Sequence, residues 1–284
     1  MSTAYGLIRN ESSAKYHATE GVSSHRLADF SAPNLPLLYY RRHISKEAAK
    51  ENIQSEAMSF GEAFHCLTLE GESAFAERFC VSPSFDRRTK QGKADAEAFA
   101  SKNAGKSVIS EEDLDLAWKM TKAIRAKPVA ARLFEKGTPE IVARVKMASF
   151  DIQSRLDWFD DTLDKYGRPL IVDVKTIDHL SNFNRQFLKF NYWKQAAFYR
   201  IVTQEAANLG GPFPRFLFVV IEKEEPHQVE VREPDEITLD VARRHIMSDL
   251  ARLKQCYDSG VWPGSSDEIT PISVPDYIQE MPIP

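Results

Sequence analysis

Cysteine is scarce in this chain of 284 residues. Its three cysteines, Cys66, Cys80 and Cys256, are far apart and form no C-x-x-C pair. Structural zinc sites and iron–sulfur clusters are usually held by closely spaced cysteines, so we expect neither. A dispersed, odd set of thiols fits a reducing compartment, and we therefore expect a cytoplasmic protein.

Long apolar runs are also missing. No stretch of about 18 apolar residues occurs, so we expect no transmembrane helix and no membrane partner. Residues 1–10 lack a basic segment followed by an apolar core, so we expect no signal peptide. The chain does contain ample core material, because 43% of its residues are hydrophobic. That is enough for one large domain or two small ones.

Positive charge is not in overall excess, since the formal net charge is −4. At first sight this disfavours a nucleic-acid partner, but the local distribution of charge matters more for an enzyme with an acidic metal site. Cations gather in residues 41–43 and in a second window that holds Arg87, Arg88, Lys90 and Lys93. The second window is either a solvated basic loop or a loop that binds the phosphates of a nucleic acid.

Hydrophobic alternation predicts three strands in the second half of the chain. They cover Ile141 to Met147, Ser154 to Phe159 and Leu170 to Lys175, with a polar turn over residues 160–167. Two antiparallel hairpins of this kind carry Glu140, Asp157 and Asp173 toward one region, provided that their registers agree.

The third predicted strand carries an acid and a base on one face. Side chains alternate along a strand, so Asp173 and Lys175 project on one side and Val172 and Val174 on the other. A carboxylate and an amine are costly to bury without partners. A divalent metal would give the carboxylate a role, and the lysine could orient a nucleophile or stabilise a charged transition state. Alone, the pair also fits a salt bridge at a sheet edge.

Helical periodicity adds further candidate residues. Residues 59–69 predict a helix in which His65 lies four positions after Gly61, and this spacing leaves room beside the imidazole. A hydrogen-bonded core histidine is the alternative. Residues 186–205 predict a single helix with Gln195 and Tyr199 on one face. Ser23 or Ser24 is the expected N-cap of another helix, where a hydroxyl near arginines can also hold a phosphate.

These features predict a division of the chain into three parts. Residues 1–20 form a polar, partly ordered lead-in, residues 21–264 form one domain, and residues 265–284 form a proline-rich strap. Within the domain, residues 21–135 are mainly helical, and residues 136–264 supply the sheet core and a long closing helix that ends at Gly260.

Several motifs occur in a fixed order along the chain. They are Gly61-Glu62-Ala63-Phe64-His65, residues 87–93, Ser154-Arg155-Leu156-Asp157-Trp158, Asp173-Val174-Lys175-Thr176 and Tyr192-Trp193-Lys194-Gln195-Ala196-Ala197-Phe198-Tyr199. The set resembles the PD-(D/E)xK nuclease superfamily, in its form with an upstream G-x-x-x-H and a downstream Q-x-x-x-Y. More closely, it resembles the RecE-type (exonuclease VIII) exonucleases of phages and prophages, from about residue 22 to residue 264.

This resemblance implies a fold and an activity. The fold is α/β (α+β), with a restriction-endonuclease-like core in which a central mixed β-sheet is flanked by helices, and with a helical N-terminal part. The activity is Mg²⁺-dependent 5′→3′ digestion of one strand of linear double-stranded DNA, which leaves 3′ overhangs for recombination by strand annealing. The implied partners are DNA ends, a RecT-type single-strand annealing protein and further copies of the chain in a ring, with a tetramer favoured.

The resemblance also implies a role for each candidate residue. His65, Asp157, Asp173 and the carbonyl of Val174 would bind the metal, and Lys175 would position or activate the attacking water. Glu140 would support a ligand or a second metal, and Gln195 and Tyr199 would brace the lysine or touch DNA. The residues expected to contact DNA are Ser23, Arg87, Arg88, Lys90, Lys93, Arg155 and Tyr192.

The chemistry of the candidate ligands supports the same site. Mg²⁺ prefers oxygen ligands, so two carboxylates and a carbonyl suit it, whereas an imidazole such as that of His65 suits Mn²⁺ better. Other functions stay open at this point. The same fold could be an endonuclease or a single-strand-specific nuclease, or it could be an inactive scaffold that binds DNA ends. An intact set of Asp157, Asp173 and Lys175 argues against the scaffold.

Overall fold

The computed structural model of the chain describes residues 4–32, 34–45, 56–86, 88–266, 268–269 and 271–273, and only the backbone of residues 56–58. Its centre is a six-stranded sheet, whose strands in spatial order are Gly6–Ile8 (β1), Thr138–Met147 (β4), Phe150–Asp160 (β5), Leu170–Ile177 (β6), Arg215–Glu222 (β7) and Val229–Arg232 (β8). Neighbouring strands are antiparallel, apart from the parallel pair β6 and β7. A separate parallel pair consists of Phe79–Val81 (β2) and Ser107–Ile109 (β3).

Helices cover both faces of the six-stranded sheet. On one face lie Ser24–Phe30 (α2), Pro36–His43 (α3), Phe183–Lys189 (α9), Tyr192–Ala206 (α10) and Glu236–Ser259 (α11). The other face is covered by Glu56–His65 (α4), Glu72–Arg78 (α5), Glu111–Ala126 (α7) and Pro128–Ala131 (α8). Ser13–Ala18 (α1) and Lys90–Lys102 (α6) complete the α-helices of the described residues. The mixed sheet flanked by helices that the sequence predicts is confirmed.

Local sequence explains the boundaries of several helices. The hydroxyls of Ser23, Thr89 and Ser110 accept hydrogen bonds from main-chain amides in the first turns of α2, α6 and α7. The carboxylate of Asp235 does the same for α11, which ends at Gly260 in the left-handed conformation. Such caps satisfy groups that the helix itself leaves without partners. No helix within the described ranges is both long enough and apolar enough to cross a membrane.

The prediction of one continuous helix over residues 186–205 is wrong. The chain forms α9 and α10 instead, with Asn191 between them at a φ of 56°. Asparagine is one of the few residues that adopt this left-handed conformation at low cost, so it can end one helix and begin another. The predicted helix at residues 59–69 is α-helical only as far as His65, where α4 ends. A π-helical turn, Cys66–Glu70, follows it.

The N-terminal residues are part of the folded sheet. Residues 6–8 pair with β4, and the main chain of Val22 pairs in parallel with that of Ile152 in β5. A buried ion pair joins Glu11 to Arg144, whose guanidinium also donates hydrogen bonds to the side chain of Gln153. Residues 4–20 therefore have more order than their polar composition predicts. Most of the predicted strap at residues 265–284 lies outside the described residues.

Candidate active site

Strands β5 and β6 separate in the middle of the sheet. They pair at Trp158–Val172, Phe159–Ile171 and Asp160–Leu170, and the next row would join Asp157 to Asp173. Beyond this row β5 pairs with β4 and Val22, whereas β6 pairs with β7. We call this point the strand fork. It places two carboxylates side by side where the ladder of main-chain hydrogen bonds stops.

A third carboxylate belongs to the same row. The pairs Pro139–Trp158 and Ile141–Leu156 flank Glu140 and set it opposite Asp157. Glu140 has a φ of 56°, which is uncommon for a residue with a side chain and costs roughly 1–2 kcal/mol. Backbone strain of this kind is common at functional sites. Glu140, Asp157 and Asp173 thus occupy one row across three adjacent strands, as the predicted hairpins require.

The carboxylate of Asp157 bridges the strand fork. Its Oδ2 accepts a hydrogen bond from the main-chain amide of Val174 at 2.8 Å and lies 3.5 Å from Nδ1 of His65, the last residue of α4. Burial alone would raise the pKa of Asp157, but His65 and Lys175 outweigh it and hold this pKa below its ordinary value. Burial likewise opposes protonation of His65, yet the charge of Asp157 raises the imidazole pKa.

Asp173 is buried, with a cation and an amide as its partners. Its Oδ2 lies 2.6 Å from the Lys175 amine, and its Oδ1 accepts a hydrogen bond from Nε2 of Gln195 at 3.2 Å. The same Nε2 donates to the Tyr199 hydroxyl oxygen at 3.1 Å. Burial raises the pKa of Asp173 to about 6 against the opposing charge of Lys175. The Lys175 pKa is also raised, because Asp173 and Asp157 outweigh the burial of the amine.

Glu140 is held by an arginine from the neighbouring strand. Nε of Arg155 forms an ion pair with Oε2 of Glu140, and Nη1 of Arg155 donates a hydrogen bond to the Ser13 hydroxyl at 2.8 Å. Burial, together with the charge of Asp157, raises the pKa of Glu140 to about 7 in spite of Arg155. The sequence pattern assigns Arg155 to DNA, and the structure places its guanidinium on Glu140.

The donor set of this row fits a divalent cation. As the side chains stand, the described residues include no group of three or more His, Cys, Asp and Glu already arranged as metal ligands. The row nevertheless concentrates three carboxylates beside an imidazole, and burial raises the pKa of two of them, Glu140 and Asp173. A bound cation favours the charged form of such groups. Oxygen donors suit Mg²⁺, and the imidazole of His65 suits Mn²⁺.

The residues predicted to touch DNA are scattered. The Ser23 hydroxyl caps α2 by accepting from the amide of Arg26 at 3.3 Å. Tyr192 lies next to the row, with its ring centroid 4.9 Å from the Lys175 amine. Arg88 is paired with Asp86, and Lys90 and Lys93 are exposed at the start of α6, without an ion pair or hydrogen bond to the three carboxylates. Arg87 lies outside the described residues.

Sequence patterns miss two contributors to the site. Ser13, in a segment predicted to be a partly ordered lead-in, holds Arg155, which is 142 positions away in the chain. Asn191 turns the chain so that α10 begins at Tyr192 and presents Tyr192, Gln195 and Tyr199 to the row. No local sequence pattern predicts the contact between Ser13 and Arg155. The asparagine at position 191 is a weak sequence signal for the turn, because asparagine tolerates the left-handed conformation.

Comparisons with known proteins extend these observations. Residues 40–273 match the model of a family described as "PDDEXK-like domain of unknown function (DUF3799)". The search of curated proteins finds no match. A crystal structure of a protein from Eubacterium rectale, described as a "putative exonuclease", superposes with a TM-score of 0.64 at 12% identity, covering 96% of this chain and 98% of that chain. At this identity the similarity shows a shared fold and carries no further argument.

Proposed function

The chain belongs to the PDDEXK-like family described as DUF3799, and from this we propose that it is a metal-dependent nuclease that degrades linear double-stranded DNA from its 5′ ends. The observation that carries the proposal is the row of Glu140, Asp157 and Asp173 at the strand fork, with the amine of Lys175 2.6 Å from Asp173. Clustered carboxylates beside a buried lysine suit the hydrolysis of a phosphodiester.

Each residue has a task in this proposal. Asp157, Asp173, the carbonyl of Val174 and His65 would hold the cation, with Glu140 supporting them. A bound divalent cation would polarise the phosphate and acidify water. The Lys175 ammonium would supply positive charge where the transition state becomes more negative, and it would position or activate the attacking water. Gln195 fixes Asp173 by its hydrogen bond, and Tyr199 fixes Gln195.

The proposed direction of digestion and the proposed biological role rest on the resemblance to the RecE-type exonucleases. Digestion in the 5′→3′ direction would leave 3′ overhangs, the substrate of a RecT-type annealing protein in phage or prophage recombination. A ring of identical subunits, with a tetramer favoured, would enclose the DNA and keep the enzyme on it. Mg²⁺ is the expected cofactor, and Mn²⁺ is expected to replace it.

One assay separates the alternatives. The protein is incubated in Mg²⁺, Mn²⁺ or EDTA with a linear duplex labelled at either the 5′ or the 3′ end, with one of its single strands, and with a covalently closed circular duplex. Metal-dependent release of the 5′ label first, with an intact circle, supports the proposal. Cutting of the circle would make the protein an endonuclease, and digestion restricted to single strands would make it a single-strand nuclease. Tight end binding without cleavage in either metal would make it a scaffold.

A further inference from the structure

The last turn of α9 and its connection to α10 expose two large apolar side chains. Leu188 is 66% exposed and Phe190 is 51% exposed, whereas Phe187 and Tyr192 on either side of them pack against the hydrophobic core. The turn at Asn191 fixes their position, because its φ of 56° redirects the chain at this point. We call residues 188–191 the apolar corner.

The apolar corner adjoins the row of carboxylates. The ring of Phe190 lies 5.8 Å from that of Tyr192, and the Tyr192 ring lies 4.9 Å from the Lys175 amine. Phe190 and Asn191 also line a recess whose wall includes Gln195, the residue that donates to Asp173. Phe190 is therefore linked to Lys175 through the ring of Tyr192 and borders the same recess as Gln195.

The segment that carries the apolar corner is positively charged. Residues 180–204 contain no aspartate or glutamate, although the whole chain has a net charge of −4. Two of the cations in this stretch, Lys194 and Arg200, are paired with Asp249 and Glu236. The other two, Arg185 and Lys189, are exposed and have no carboxylate partner within the described residues, and the Lys189 amine lies 5.3 Å from the centroid of the Phe190 ring.

We propose that the apolar corner is a stacking platform for the unpaired bases at the end of the DNA strand that is being hydrolysed. An exposed aromatic ring with cations beside it matches a nucleotide, because the base has a flat apolar face and the phosphate is an anion. Phe190 stacks on one base, Leu188 packs against a neighbouring base, and Arg185 and Lys189 meet the backbone phosphates. This inference rests on the proposed function and adds the form of the substrate.

The platform has a consequence for the substrate. The faces of paired bases are covered by their neighbours in the duplex, so a base reaches an aromatic side chain only after it has left the stack. The strand end therefore binds in a frayed state. Fraying costs least where the end is already unpaired, so an unpaired 5′ tail should bind more tightly than a blunt end.

A binding experiment tests the platform independently of cleavage. Affinity is measured in EDTA, which prevents metal-dependent hydrolysis, for duplexes that carry a short unpaired 5′ tail with a single abasic position moved along it. Phe190→Ala is expected to weaken binding of the intact tail about tenfold, as the loss of one stacked base would. One abasic position should weaken the wild type by a similar factor and should not weaken Phe190→Ala further. Phe190→Trp should restore the affinity, and Ile237→Ala, at an exposed apolar position on α11, is the matched control.

Three outcomes would overturn the platform. The first is that Phe190→Ala and Leu188→Ala bind the tailed duplex as tightly as the wild type does. The second is that an abasic position weakens binding equally in the wild type and in Phe190→Ala. The third is that these variants lose oligomer mass while their DNA affinity is unchanged. The last outcome would make the apolar corner an interface between copies of the chain. Failure of the proposed function looks different, because the wild type would then bind the tail with the expected abasic pattern and still cleave no DNA in Mg²⁺ or Mn²⁺.

Discussion

The carboxylate of Asp157 accepts a hydrogen bond from the main-chain amide of Val174 across the strand fork, at 2.8 Å. In a regular sheet this amide would find its acceptor on the main chain of the neighbouring strand. Here the acceptor is a side-chain oxygen of Asp157. A residue that is proposed to bind the metal therefore also connects β5 to β6. Changes at Asp157 should therefore affect both stability and catalysis, and the two effects can be separated by the choice of substitution.

Asp157→Asn and Asp157→Ala should differ in stability and agree in activity. The asparagine oxygen can still accept from the amide of Val174, whereas alanine leaves that amide without this partner. We expect Asp157→Ala to lower the free energy of unfolding by about 1–3 kcal/mol more than Asp157→Asn does. Both variants should lose DNA cleavage, because neither supplies a charged ligand. Urea unfolding and the end-label assay measure the two effects, and a fully active Asp157→Asn would contradict the assignment.

Lys175→Met should reduce cleavage by a factor of about 100 to 1,000, the usual cost of removing one preorganised electrostatic contact from a transition state. DNA binding in EDTA should change much less. The matched control is Lys146→Met, because Lys146 is an exposed lysine on β4 away from the row. Initial rates and melting temperatures are compared for both variants. Equal rates in Lys175→Met and Lys146→Met would remove Lys175 from the catalytic set.

Metal binding should raise the melting temperature. A cation that binds only the folded state stabilises it by about 2.7 kcal/mol at a concentration one hundred times its dissociation constant. The row holds carboxylates whose pKa is raised by burial, so its affinity for a cation should depend on their charge. We expect Mn²⁺ to raise the melting temperature of the wild type and to have little effect on that of Asp173→Asn. Asp240→Asn on α11, where the half-buried carboxylate pairs with Arg243 and Arg244 and not with the row, is the control. A metal response that survives Asp173→Asn would place the metal elsewhere.

The pair formed by Glu11 and Arg144 should make stability depend on pH. The hydrogen bond from Arg144 lowers the Glu11 pKa below its ordinary value, and both side chains are buried. Because the folded-state pKa is the lower one, the contribution is fully present above the ordinary glutamate pKa of about 4.3 and is lost as the pH falls through the folded-state value. We expect Glu11→Gln to lower the free energy of unfolding by about 3 kcal/mol at pH 7.

The difference in unfolding free energy between the wild type and Glu11→Gln should shrink as the pH falls from the ordinary glutamate pKa through the lower folded-state value. Over this range the wild-type carboxylate takes up its proton, first in the unfolded chain and then in the folded protein. Urea unfolding at a series of pH values measures this difference. A difference that stays constant across the series would show that the loss at pH 7 comes from packing and not from the charge of Glu11.

Alternation along strands and spacing along helices predicted much of this structure. They identified β4, β5 and β6, set Asp173 and Lys175 apart from Val172 and Val174, and gave the end of α11 at Gly260. These features depend on residues close in the sequence. The strand fork does not, since it depends on which strand β6 pairs with after Val172. The left-handed backbone of Glu140 and the contact between Ser13 and Arg155 likewise follow from tertiary packing that local patterns do not encode.

The three cross-strand pairs between β5 and β6 separate the carboxylates from the loop that joins these strands. Hydrogen bonds within the loop hold its two ends together, because Asp164 accepts from both the main chain and the side chain of Arg168. The side chains of Leu163 and Tyr166 in this loop are exposed. Its length is therefore independent of the geometry at Asp157 and Asp173. A peptide tag or a fluorescent label inserted after Lys165 would allow surface attachment of the protein without moving Asp157 and Asp173.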